Sequence, residues 1–271
     1  MLQLMISFVV PAYNEEALIA SCLYAILAET TRVNCAAEII VVDNNSTDAT
    51  RQIVAAIPGV TIVDEPKRGL VQARRAGCLA ASGELIANID ADTMIPPGWL
   101  DTVLAAFARQ PRLAALSGPF IHYDLPKSKR FTAAVFYRFA FISYLLVRFV
   151  FRAGSMMQGG NFVVRKSALD ATEAFNPDFS FYGEDTELAR RLSKVGGVKF
   201  SFALPAFSSG RRLAAEGLFR VAFQYTVNYL WTVMFKQPFT LDWLDFRHQP
   251  DAAGEGSLAP AAPSRGKPPA T

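Results

Sequence analysis

Ile6-Ser7-Phe8-Val9-Val10-Pro11-Ala12-Tyr13-Asn14-Glu15-Glu16 is an apolar run of strand length that breaks into a polar turn. Ile6 to Val10 reads as a buried strand. Asn14 suits the cap of a helix whose first turn holds Glu15 and Glu16 and whose apolar stripe is Leu18, Ile19, Cys22, Leu23 and Ile26. The turn decides between parallel-sheet folds. A dinucleotide-binding domain requires Gly-x-Gly-x-x-Gly after its first strand, so that backbone and helix N-terminus can cradle a pyrophosphate. This turn has no glycine and two acids, which repel phosphate, so the dinucleotide reading fails.

Further strand and helix signals alternate downstream. Glu38-Ile39-Ile40-Val41-Val42 is a continuously apolar strand, followed by Asp43-Asn44-Asn45-Ser46 and a helix from about Thr47 to Ala56. Val60 to Val63 predicts a third strand, Leu70 to Ala81 a helix closed by Gly83, and Leu85 to Ile89 a fourth strand. The pattern predicts an α/β fold with a mostly parallel central sheet flanked by helices, whose ligands bind beyond the carboxyl ends of the strands. Asp43, Asp90 and Asp92 fall at such ends.

Asp90-Ala91-Asp92 places two carboxylates at the end of a buried strand, where desolvation is costly unless a cation offsets it. A hard divalent ion bridging carboxylate to substrate diphosphate fits that pattern, and so do two solvated acids.

The chain has 271 residues, 51% of them hydrophobic, with a net charge of +3 and a mean hydropathy of +0.21. That length suits one large domain. The charge is too small for nucleic-acid binding, and the apolar excess points to a membrane or partner surface. Cys22, Cys35 and Cys78 lack metal-ligand spacing and read as reduced thiols of a cytoplasmic protein. The first apolar run, Met5 to Val10, is strand-length and leads straight into Pro11, so it does not read as a secretory signal. Residues 250–271, rich in Ala, Gly, Pro and Ser, are expected to be a disordered tail.

Five segments recur in a telling order: Val9 to Glu16, Val41-Val42-Asp43-Asn44-Asn45-Ser46-Thr47-Asp48, Asp90-Ala91-Asp92, Gly159-Gly160-Asn161-Phe162 and Tyr182-Gly183-Glu184-Asp185. Together, over residues 4 to 205, they resemble the inverting GT-A glycosyltransferases of family 2. The resemblance implies a GT-A fold over residues 1–240, with a nucleotide-binding half at 4–118 and an acceptor half at 119–240. It also implies a nucleoside-diphosphate sugar as donor, and a divalent metal, Mg²⁺ or Mn²⁺, held by Asp92. Pro11, Ala12, Tyr13 and Glu15 become candidate contacts to base and ribose, Asp43 the reader of the base, and Asp90 and Ala91 contacts to the nucleotide sugar. Asp185 is implied as the general base and Glu184 as its companion on the acceptor, with Gly160 and Asn161 on the acceptor side. Arg211, beside Arg212, is implied as a clamp on the diphosphate, and Arg68 as a further basic contact. A Gln-x-x-Arg-Trp motif is absent, since Gln224 is not followed by one, which implies transfer of a single sugar.

The residues alone leave other readings open. Asp43 suits an Asx-turn, Lys67, Arg68 and Arg74 a solvated charge run, and Gly159-Gly160 a turn before an edge strand. Glu184 and Asp185 open a helix with the stripe Leu188, Leu192 and Val195, where acids simply complement the dipole. A helix N-terminus and a metal both depress an acid's pKa, so a base there must owe much of its effect to positioning.

Residues 131–151 are long enough to span a bilayer, yet Arg138 and Arg148 would each cost roughly 2.5 to 3.5 kcal/mol near its centre. On a helical wheel Arg130, Arg138, Arg148 and Arg152 share a sector of about 80°, which favours an interfacial helix, although Phe141 and Leu145 share it too. Residues 219–239 are similarly aromatic and are expected beside it. The expectation is peripheral attachment at the cytoplasmic face of the cell membrane, with a lipid or saccharide acceptor. A nucleotidyltransferase of related fold and an inactive nucleotide-sugar-binding partner are the alternatives. The sequence is silent on oligomeric state and donor sugar.

Overall fold

The computed structural model describes residues 4–149, 156–172 and 183–235. The chain runs β1 (Ile6–Ala12), α1 (Ile19–Val33), β2 (Ala37–Asp43), α2 (Thr50–Ala55), β3 (Val60–Asp64), α3 (Leu70–Ala80) and β4 (Leu85–Ile89). It continues through β5 (Thr93–Met94), α4 (Trp99–Arg109), β6 (Leu113–Ser117), β7 (Phe120–His122) and α5 (Lys127–Phe149). The last part is β8 (Asn161–Arg165), α6 (Lys166–Asp170), α7 (Glu184–Leu192), β9 (Gly197–Phe200), β10 (Ala206–Ser208), α8 (Arg211–Glu216) and α9 (Leu218–Phe235). The expected tail, residues 236–239 of the second apolar segment, Tyr182 and Arg152 lie outside the described residues, as does the side chain of Arg148.

The main sheet has the order β3-β2-β1-β4-β8-β6-β9, with β8 antiparallel to both neighbours and every other adjacent pair parallel. Because β1 lies inside the sheet, between β2 and β4, its seven residues are all buried, and its alternation feeds two cores. Phe8 and Val10 pack with Ile19, Leu23, Trp99 and Leu100 on one face. Val9 packs with Val42, Cys78, Leu188 and Leu192 on the other. A small second sheet, β5-β10-β7, stands beside the end of β4 and returns the later chain to it.

Four local expectations are corrected. Asn14 does not cap α1: it adopts the left-handed region (φ 50°), and α1 begins at Ile19 with no side-chain cap. Its Oδ1 instead accepts from Thr47 N (2.8 Å), which ties the first turn to the second. Gly83 does not close α3 in a left-handed conformation; it lies against β1, donating N–H to Ser7 Oγ (2.8 Å), and a Cβ there would stand 2.6 Å from that oxygen. The strand after Gly159-Gly160 is β8, which lies inside the sheet and not at its edge. Val195 falls past the end of α7 and is exposed.

No described helix is long and apolar enough to cross a membrane. The exposed face of α5 is mixed, carrying Arg138 alongside Phe131, Phe139 and Ile142. Phe141, from the same sector as Arg138, turns instead onto Phe200 and Phe202. α9 lies beside α5, as expected, and also against α7 and α8.

Candidate active site

The first two strand-to-helix turns lock into each other. Glu15 N donates to Thr50 Oγ1 (2.8 Å), Glu16 N to Asp48 Oδ2 (3.2 Å), and Ala49 N to Glu16 Oε2 (2.9 Å). Asn44, at the end of β2, donates to the carbonyls of Glu65 and Lys67 and accepts from Gly69 N, so it fixes the loop that carries Arg68. The guanidinium of Arg68 lies 3.7 Å from the centroid of the Tyr13 ring. Asp43 is buried, accepts from Ser46 N (3.0 Å) as an Asx-turn acid does, and also meets Arg51 (3.3 Å).

A cavity of about 530 Å³ opens at the carboxyl ends of β1 and β4. Pro11, Tyr13, Glu15, Asp90, Ala91, Asp92, Asp185 and Arg211 line it together. These residues come from five elements or turns, and Arg211 is drawn in from α8 by its ion pairs with Glu15 (2.5 Å) and Asp92 (3.1 Å). Ala12, Asp43, Arg68, Gly160, Asn161 and Glu184 lie outside its wall.

Asn161 is therefore corrected as an acceptor contact: its fully buried side chain accepts from Trp99 Nε1 (3.1 Å) and donates to Leu204 O (2.9 Å), joining the two sheets. Gly160 (φ 78°) has a steric role, since a Cβ there would collide with the Asp90 carboxylate.

The two acids of Asp90-Ala91-Asp92 part company. Asp90 meets Arg74 (2.8 Å), whereas Asp92 faces Arg211 and the cavity. Burial pushes the Asp92 carboxyl well above the usual carboxylate range; Arg211 pulls it back, and Glu15 and Asp90 push it up further. The described residues contain no cluster of three metal-ligating side chains. One crowded carboxylate on a cavity wall nevertheless fits Mg²⁺ or Mn²⁺, which take few protein ligands when substrate phosphates complete the shell.

Asp185 sits at the start of α7 behind Gly183 (φ 78°). Oδ2 accepts from Gly159 N (3.1 Å) and Oδ1 from Thr186 N (2.7 Å), so both oxygens are held by backbone donors. Its pKa is raised above the ordinary 3.8, because burial outweighs those hydrogen bonds and the charge of Arg74. The depression expected from the helix N-terminus and a metal is opposed here by burial, and a carboxyl held up in this way is the stronger base.

Arg74 is a residue whose role sequence reasoning missed. It is only 1% exposed, and its guanidinium pairs with Glu184 on one side and Asp90 on the other. It thus ties the helix bearing Asp185 to the strand end bearing Asp92. A signal was present: Val71, Arg74 and Cys78 share one helical face, and a cation on a buried stripe needs acidic partners. His122 also lines the cavity, with its pKa lowered by burial and its Nδ1 lacking a hydrogen bond among the described residues. A lone histidine in a short strand carried no such signal.

Residues 7–172 match the model of the family described as Glycosyl transferase family 2. An uncharacterized glycosyltransferase of Mycobacterium tuberculosis is 40% identical over 100 residues, covering 37% of this chain and 42% of the relative. Succinoglycan biosynthesis protein ExoO of Rhizobium meliloti is 39% identical over 98 residues, covering 35% of this chain and 27% of that protein. The matches thus span less than half the length of these relatives. Among solved structures, the mannosyltransferase PcManGT of Pyrobaculum calidifontis, in complex with GDP-Man and Mn²⁺, superposes with a TM-score of 0.61 at 20% identity, over 84% of this chain and 64% of that one. TarS of S. aureus with UDP-GlcNAc gives a TM-score of 0.55 at 15% identity, over 84% and 67%. At such identities the likeness concerns the fold, which is GT-A.

Proposed function

The chain belongs to glycosyl transferase family 2, and on that footing we propose that it moves a single sugar, with inversion, from a nucleoside-diphosphate sugar to an acceptor hydroxyl. The observation that carries the reading is the shared wall: the half-buried, backbone-held Asp185 faces the same cavity as Asp92, Glu15 and Arg211. Asp185 suits a base, Arg211 and a cation held by Asp92 suit an anionic leaving group, and Glu15 suits the ribose hydroxyls. We read residues 1–240 as the catalytic domain, with 4–118 holding the donor and 119–240 meeting the acceptor.

In this mechanism Tyr13 and Glu15 hold the nucleoside, with Arg68 stacked on Tyr13 from behind. Asp185 takes the proton of the acceptor hydroxyl as its oxygen bonds to the anomeric carbon. The bond from that carbon to the diphosphate oxygen breaks, and the nucleoside diphosphate leaves with the electron pair. A divalent ion at Asp92 supplies charge neutralisation on that leaving group, a contribution of several kcal/mol. Arg211, already within reach of Asp92 and Glu15, is placed to meet the same charge. Arg74 holds Glu184 and Asp90, and so keeps base and leaving-group sites in register.

The name of the Rhizobium meliloti relative extends the reading to glycan biosynthesis, and the donors bound by PcManGT and TarS make UDP- and GDP-sugars the first to try. The exposed Phe131, Phe139 and Phe223, among the cations Lys127, Lys129 and Arg220, support peripheral attachment to an anionic cytoplasmic leaflet. The test is release of free nucleoside diphosphate from a panel of UDP- and GDP-sugars with Mg²⁺ or Mn²⁺. Activity should require the metal and vanish in Asp92→Ala. Donor binding without release, for every donor and acceptor tried, would leave an inactive binding protein instead.

A further inference from the structure

The cavity has a second end that donor chemistry does not use. Beyond Asp185 it runs between α5 and α9, where Ala133, Ala140 and Ala222 are small enough to leave space and Phe136, Val221 and Tyr225 form the sides. The polar groups of this stretch are largely engaged within the wall. Tyr137 Oη donates to Gln158 Oε1 (2.9 Å) and accepts from Phe120 N (3.3 Å). Tyr225 Oη accepts from Arg212 Nη1 (3.1 Å), Thr226 Oγ1 donates to Ala222 O (2.8 Å), and Asn228 Nδ2 donates to Gln224 O (2.8 Å). The Tyr229 hydroxyl, by contrast, has no hydrogen-bond partner among the described residues. A saccharide needs a hydrogen bond for most of its hydroxyls, and burying them against such a wall costs about 1–3 kcal/mol for each one left unmade. A hydrocarbon incurs no such cost. The outer lip supports the same choice: Phe139 lines the cavity yet is 65% exposed, and Ile142, one turn on, is 60% exposed. The apolar channel therefore opens beside exposed Phe139 and Ile142, with Arg138 next to them.

We infer that the acceptor is an amphiphile, a hydroxyl-bearing head on a hydrocarbon chain, and that the channel between α5 and α9 holds the first part of that chain. The inference rests on the glycosyl-transfer reading above and narrows its acceptor from lipid or saccharide to lipid. The head lies at Asp185, the chain passes Ala140 and Ala222, and its remainder leaves past Phe139 toward the bilayer. The catalytic end is polar and the exit apolar, so a lipid can be glycosylated without leaving the membrane.

The test uses the whole chain and a ladder of n-hexanol, n-octanol and n-decanol, with affinity measured by calorimetry. Each buried CH₂ strengthens binding about fourfold, so each step of two should gain about fifteenfold. Ala140→Trp and Ala222→Trp fill the channel and should abolish that dependence while UDP or GDP binding and cooperative unfolding persist. Ala140→Leu and Ala222→Leu serve if the larger replacements do not fold, and should weaken decanol more than hexanol. Affinity that is flat along the ladder overturns the inference. So does a dependence that survives in folded, filled variants, because the alkanols would then be sitting on the Phe139 patch. Nucleoside diphosphate release is read separately: its absence beside a normal ladder sinks the transfer reading and leaves a chain-binding site standing.

Discussion

The two ends of the cavity are built from opposite materials. At the donor end, polar side chains are tied across turns: Asn14 to Thr47, Glu16 to Ala49, Asn44 to three backbone groups, and Arg74 to two acids. At the other end, α5 and α9 present alanines and aromatic rings, with the Tyr137 hydroxyl held by Gln158 and the Phe120 N–H, and that of Tyr225 by Arg212. Hydrogen-bonded sites discriminate sharply, because a wrong ligand leaves buried polar groups unpaired; apolar channels discriminate weakly, by area. On the proposed reading, one active site would be strict about its nucleotide and tolerant of its acceptor's chain.

That contrast breaks most visibly at Asp185. Asp185→Asn should lower kcat by about 10²- to 10⁴-fold, as loss of a positioned base does, with donor binding nearly unchanged in a titration calorimeter. A fall of less than tenfold would remove Asp185 from the role of base. Stability should not suffer. Because the folded-state pKa is raised, the carboxyl's contribution to stability is present below the ordinary 3.8 and lost as pH rises through the folded value. At neutral pH the amide avoids that loss but can accept from only one of Gly159 N and Thr186 N, so Tm should stay close to that of wild type.

Arg74 tests whether the donor end is one tied unit. Arg74→Met strands Glu184 and Asp90 as buried or half-buried acids and should cost about 3–5 kcal/mol in urea unfolding. Adding Glu184→Gln should restore part of it, whereas equal loss in single and double variants would mean that Arg74 matters only for packing. At the apolar end, Phe139→Ser removes an exposed ring and should leave urea stability within about 0.5 kcal/mol of wild type.

The pH profile sharpens the contrast further. With burial holding the Asp185 pKa up, the acid limb of kcat/KM should lie above the usual aspartate range, and activity should fall as pH drops through it. Arg74 lowers that pKa, so a folded Arg74 variant should move the limb upward again. A limb in the ordinary range would show that the base is solvated during turnover. The smallest effect on activity is expected at Arg68, whose exposed guanidinium caps Tyr13. Arg68→Ala should raise donor KM about two- to fivefold, the value of about 0.5–1 kcal/mol typical of an exposed cation–π pair.

Much of the donor end was legible because its signals are local. Each strand-to-helix turn carries its own residues, and strand ends in a parallel sheet must gather on one side. Legibility failed where a partner was distant in sequence. Asn14 looked like a cap because Asn caps helices, yet Thr47 competes for it across the turn. Asn161 looked like a ligand contact, yet Trp99 and Leu204 claim it. Arg74 looked solvated, although its partners lie 16 and 110 residues away.

The sequence by itself determined the strand-helix alternation, the absence of a dinucleotide turn, the placement of Asp90 and Asp92 at one strand end, and the family likeness. Periodicity, turn chemistry and motif spacing are properties of neighbours along the chain. Only the tertiary structure decided that Arg74 binds the two halves together, that Asp185 is pushed up and not down, and that the channel beyond it is apolar. Burial and ion pairing depend on which segments the fold brings into contact, and a carboxylate's environment is set by all of them together.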